Sequence, residues 1–145
     1  MTATLHLNRL GEWPAAAGLG PVIEAAVRAT LAAGNPPAGG EISITLVSEE
    51  EIRELNRRYL GRDRETDVLA FDLGGEADLL ADVYVAPTVA ARSARECGET
   101  EAREIVRLVI HGMLHALGHD HPEGEARYES EMFRLQEELL DRLNV

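Results

Sequence analysis

Four of the five histidines in this 145-residue chain, His111, His115, His119 and His121, fall within the eleven-residue run HGMLHALGHDH. Two histidines four residues apart on a helix stand one above the other, with Cβ atoms about 5–6 Å apart. From there both rings reach a common ion at about 2.0–2.1 Å. Gly118 can take the left-handed conformation that reverses a chain, which returns His121 as a third ligand. His111, His115 and His121 are therefore the expected ligands of one divalent ion. Zinc is the expected metal, although nickel, copper and iron also accept imidazole. Three imidazoles and no cysteine leave one coordination position open, the arrangement of catalytic rather than closed structural sites. A water held there has its pKa lowered to about 7, and a phosphoryl or carbonyl oxygen is polarised.

The residue after the first histidine narrows the chemistry. The spacing H-x-x-x-H-x-x-G-x-x-H is that of the metzincin proteases, whose motif carries a glutamate base at that place. Here it is Gly112. Asp120 belongs to the turn and cannot take the same position on the helix, so peptide hydrolysis by that route lacks its proton acceptor.

These residues need a helix to hold them. Thr100 caps one that runs through Ala102 to Leu117, apolar on most of its circumference, with Glu104, Arg107, His111 and His115 as its only polar stripe. Histidines on so buried a helix require partners for their nitrogens, and a metal supplies one. Before it, Thr4 to Asn8 reads as a strand and Pro21 to Ala33 as a helix closed by Gly34. Ala38-Gly39-Gly40 reads as a loop. Ile42, Ile44 and Leu46 alternate as a half-buried strand. Ser48 and Glu51 form a capping box that opens a helix to about Tyr59, with Ile52 and Leu55 inward. Gly61 to Thr66 is a charged turn. Asp67 to Asp72 and Leu79 to Ala86 are two strands joined through Gly74-Gly75. A helix follows from Pro87 to Cys97-Gly98, and a last amphipathic one from Glu125 to Leu143, with Met132, Leu135, Leu139 and Leu143 inward. The order predicts a single α+β domain over residues 1–145, a small mixed sheet with about five or six helices against it.

Composition sets the outer bounds. The chain is 45% hydrophobic and 28% charged, as in ordinary globular domains. No stretch approaches the roughly 20 apolar residues that span a bilayer, and Met1 to Asn8 lacks the pattern of a signal peptide. A single cysteine, Cys97, suits a reducing compartment, and the cytoplasm is the expected location. A net charge of −12 argues against a broad non-specific nucleic-acid surface. All fourteen basic residues are arginine. Arg57, Arg58, Arg62 and Arg64 cluster within eight positions and are the best available phosphate contact on an acidic protein.

The histidine run also resembles the signature of the YbeY family of bacterial endoribonucleases, H-G-x-L-H-L-x-G-Y-D-H. Leu55-Asn56, Tyr59, Gly61, Asp63 and Thr66 to Phe71 resemble the family segment L-N-x-x-Y-R-G-K-D-x-P-T-[DN]-V-L-S-F. Residues 80–83, LADV, resemble its L-G-D-[IV] strand, and Met132 falls on a family methionine. The resemblance implies a four-stranded mixed sheet surrounded by helices. It also implies a metal-dependent endoribonuclease that cuts single-stranded RNA, matures ribosomal RNA at the 3′ end of the small-subunit rRNA, and takes part in ribosome quality control. Its partners would be ribosomal RNA and the small ribosomal subunit, without a membrane. The metal-ligand roles carry over to His111, His115 and His121, whereas His119 replaces a family tyrosine. The family arginine after the tyrosine is Leu60 here, which leaves Arg62 and Arg64 as the expected RNA contacts. Glu65, Ala70 and Ala81 are further departures. Asp82 is an expected support for a histidine ligand. Two other readings remain open at this point, a metzincin-like metalloprotease and a non-catalytic, zinc-stabilised ribosome-binding factor.

Overall fold

The computed structural model describes residues 3–34, 39–61, 66–74, 78–119 and 124–145. Four strands, β1 (Thr4–Asn8), β2 (Gly40–Leu46), β3 (Val68–Asp72) and β4 (Leu79–Val85), form one sheet in the order β1-β2-β4-β3. β1, β2 and β4 run parallel, and β3 is the antiparallel edge strand. Connection length explains this: β3 and β4 are joined by a short hairpin, whereas the parallel pairs are linked through helical crossovers. The helices are α1 (Gly20–Gly34), α2 (Glu49–Leu60), α3 (Pro87–Cys97), α4 (Glu101–Ala116) and α5 (Glu131–Asp141). The expected α+β architecture with a four-stranded mixed sheet is the one observed. No helix among the described residues is long and apolar enough to cross a membrane.

Strand alternation gives the sheet two unlike faces. Ile42, Ile44 and Leu46 of β2 and Ala81, Val83 and Val85 of β4 point into the main core, where they meet Ile105, Val109, Ile110 and Met113 of α4. Leu69, Phe71 and Tyr84 point the other way and pack with Val47 and Ile52 in a smaller cluster. α4 is the central helix, touching α1, α3, α5, β3 and β4. Its position in the middle of the core is what its near-continuous apolar surface requires.

Two boundaries differ from the sequence expectation. Gly40 belongs to β2 rather than to the preceding loop, and it pairs with Leu79. The last helix does not run unbroken from Glu125 to Leu143: a 3-10 segment, Gly124–Glu129, precedes α5. The break falls at Ser130, whose backbone is extended and whose Oγ accepts from the Phe133 N–H at 3.1 Å, the geometry of a new N-cap. The capping box on α2 is present as expected, with Ser48 Oγ accepting from Glu51 N–H at 3.1 Å and Glu51 Oε1 accepting from Ser48 N–H at 3.0 Å.

Candidate functional site

The site is built along the polar stripe of α4. Thr100 caps the helix, its Oγ1 accepting from the Arg103 N–H at 3.1 Å. Two turns in, Arg107 is surrounded by carboxylates. It binds Glu137 of α5 through Nε and Nη2, both at 3.0 Å, and also pairs with Glu99 and Glu104. These contacts raise the Arg107 pKa further above its already high value, and hydrogen bonding to Arg107 lowers that of Glu99. Glu104 is buried, and burial raises its pKa even though Arg107 pulls it down.

The next two turns carry His111 and His115, both half-buried. Their Nε2 atoms are 3.1 Å apart. Two ligands at 2.0–2.1 Å from one ion across a tetrahedral angle stand about 3.3–3.4 Å apart, so the pair fits one edge of such a site with little adjustment. His111 Nδ1 lies 2.6 Å from Oε1 of the buried Gln136 on α5. α4 ends as a Schellman turn: Gly118 N–H donates to His115 O at 3.0 Å and His119 N–H to Leu114 O at 2.9 Å. Gly118 has φ +95°, the left-handed geometry expected of it. His119 lies in this turn; His121, Arg62 and Arg64 lie outside the described residues.

Gly112 has a structural reason of its own. A Cβ there would stand 2.6 Å from Val83 Cγ1 and 3.2 Å from Val68 Cγ2. The helix thus meets the sheet through its glycine, and position 112 has no room for the carboxylate that a metzincin carries.

Other expected residues fall elsewhere. Asp82 does not reach His111 or His115. It lies on the sheet face opposite α4, where it accepts from the Tyr84 hydroxyl at 2.6 Å, because β4 turns Val83 toward the helix and its neighbours away. That contact and, more strongly, burial push the Tyr84 pKa up to about 12. Arg57 and Arg58 on α2 pair with Glu54. Leu60, at the end of α2, is exposed.

A cavity of about 480 Å³ opens beside His111, lined also by Asp67, Arg107, Tyr128, Gln136 and Glu137. Asp67 is the carboxylate that reading the histidine motif misses. Burial raises its pKa, against the lowering effect of backbone N–H groups at Asp67 and Val68. Gln136 was also missed, although it had a signal: it falls four residues after Met132 and three before Leu139, inside the inward stripe of α5. A polar residue there requires a buried partner.

Comparison with known proteins gives the family. The sequence model of the family described as "Endoribonuclease YbeY" matches residues 15–144. The chain belongs to the YbeY endoribonuclease family. An Endoribonuclease YbeY from Thermotoga maritima is 42% identical over 102 residues, covering 70% of this chain and 67% of that one. Another from Geobacillus thermodenitrificans is 38% identical over 135 residues, covering 85% of each. The solution structure of a Thermotoga maritima protein superposes with a TM-score of 0.65 at 32% identity, covering 95% of this chain and 87% of that one.

Proposed function

We propose that this YbeY-family chain is a cytoplasmic, metal-dependent endoribonuclease. It would act on single-stranded RNA in the maturation of small-subunit ribosomal RNA at its 3′ end, and in ribosome quality control, with the small ribosomal subunit as partner. One observation carries the metal part of the reading: the Nε2 atoms of His111 and His115 stand 3.1 Å apart in a member of this family. His111, His115 and His121 would hold one zinc ion. Bound there, zinc supplies a Lewis acid for a phosphoryl oxygen and an acidified water.

The chain's own groups then divide the remaining work. Asp67, held above the usual carboxylate range by burial, lines the same cavity and is suited to carry a proton. Arg107 is engaged by three carboxylates and serves the structure rather than phosphate. Arg62 and Arg64 are the proposed RNA contacts. The crowding at Gly112 weighs against the metalloprotease reading, because it excludes a base at that position.

The test is cleavage of a single-stranded ribosomal RNA fragment by the wild type and by His115→Ala, with metal content measured on the same preparations. Loss of both cleavage and zinc in the variant is the expected result. Equal cleavage by the two proteins would overturn the reading.

A further inference from the structure

A continuous hydrogen-bonded chain runs from the ion cluster on α4 to the first histidine. Arg107 holds both carboxylate oxygens of Glu137, with Nε and Nη2 each at 3.0 Å. Glu137 Oε2 also accepts from Gln136 Nε2 at 3.0 Å, and Gln136 Oε1 lies 2.6 Å from His111 Nδ1. Each link constrains the next. A carboxylate engaged by a guanidinium can only accept, so the amide of Gln136 must turn its NH2 group toward Glu137. Its carbonyl oxygen then faces His111 and can only accept in turn. Nδ1 of His111 must therefore carry the ring hydrogen. That leaves the lone pair on Nε2, the nitrogen that faces His115 Nε2 at 3.1 Å.

We infer that Gln136 is the positioning residue that sets the tautomer of His111, and that the Glu137–Arg107 ion pair sets the orientation of Gln136. A metal-binding imidazole needs its coordinating nitrogen unprotonated and its other N–H engaged, and losing that partner weakens metal binding. Gln136 meets this need from a buried position on a different helix, 25 residues along the chain. The tautomer part of the inference concerns the metal-free protein; its consequence for affinity rests on the proposed metal site.

Two measurements on the full chain test it. Nitrogen-15 correlation spectra of the metal-free protein, with the histidines neutral, should show His111 with its hydrogen on Nδ1. A hydrogen on Nε2 would overturn the inference. Zinc affinity, measured by competition with a chelator, should fall about 10–100-fold in Gln136→Leu. It should fall less in Gln136→Glu, whose carboxylate accepts the same N–H although it loses the donor to Glu137. A residue with a merely structural role would lower the melting temperature of the metal-free variants and leave the tautomer and zinc affinity of the folded protein unchanged, which would also overturn the inference. Should Gln136→Leu fail to fold, the wild-type tautomer and the Gln136→Glu affinity still decide. Failure of the wild type to bind zinc would overturn the metal reading instead, and the tautomer spectrum would still judge Gln136.

Discussion

The polar stripe of α4 has two halves on one helix, and they behave differently. In the first half, Arg107 and Glu104 join Glu99 and Glu137 in an ion cluster whose charges answer one another within the protein. In the second half, His111 and His115 turn their Nε2 atoms toward each other, and Gln136 holds the Nδ1 side of His111. A buried charged group is retained only if the protein pairs it, and the cluster does so. A pair of imidazoles with converging nitrogens is better suited to a ligand. The lesson is that a single stripe combines a support and a site, and that α5 connects them through adjacent residues, Gln136 and Glu137.

The largest way to break this contrast is to remove a ligand. His111→Ala should lower RNA cleavage about a hundredfold or more while the metal-free protein keeps a cooperative urea transition, because the apolar core of α4 is untouched.

Breaking the other half should do the reverse and act on stability. Arg107→Met leaves the buried Glu104 and the half-buried Glu99 and Glu137 without their guanidinium and should cost about 3 kcal/mol in urea unfolding of the metal-free protein. The pH dependence has a definite sign. Glu104 has a raised pKa in the fold, so it favours the native state at low pH and loses that contribution as pH rises through its folded value. Glu99 has a lowered pKa, so its contribution is present above the ordinary carboxylate range and disappears on acidification. Removing Arg107 takes away the main cause of the lowering of Glu99 and raises Glu104 further. The deficit of the variant should therefore be greatest at neutral pH and shrink as both carboxyls protonate. A deficit that grows on acidification would contradict this account of the cluster.

A smaller effect is expected at the helix–sheet contact beneath the histidines. Gly112→Ala should destabilise by about 1–3 kcal/mol through overpacking against Val83 and Val68. Adding Val83→Ala should recover part of the loss, a coupling that a double-mutant cycle would measure. The smallest effect lies away from the stripe. Ser48→Ala removes one side of the α2 capping box and should cost about 1 kcal/mol. It should leave zinc affinity unchanged, which makes it a control for general destabilisation.

Much of this molecule was legible along the chain because the responsible interactions are local. Alternation at Ile42, Ile44 and Leu46 marked β2, Ser48 and Glu51 marked the start of α2, and Gly98 marked the end of α3. The i, i+4 spacing of His111 and His115 on an apolar helix announced that two rings would meet, and they do. The failures share a cause. Alternation along β4 puts Asp82 on one face with Tyr84, but alternation does not say which face a distant helix will cover. The spacing of Met132, Leu135, Leu139 and Leu143 does not mark where the last helix begins, whereas the backbone starts it at the Ser130 cap.

The sequence by itself determined α4, its polar stripe, the glycine that ends it and the family to which the motif points, since helix periodicity, capping and turn geometry act within a few residues. Only the tertiary structure decided what completes the stripe. Gln136 and Glu137 reach it from α5, Asp67 shares its cavity from the start of β3, and Val83 and Val68 explain why position 112 carries no side chain. These contacts join residues far apart along the chain, and which of them meet depends on how whole elements dock. That docking depends on burying the apolar surface of α4 against the sheet and α5, a demand no local spacing records.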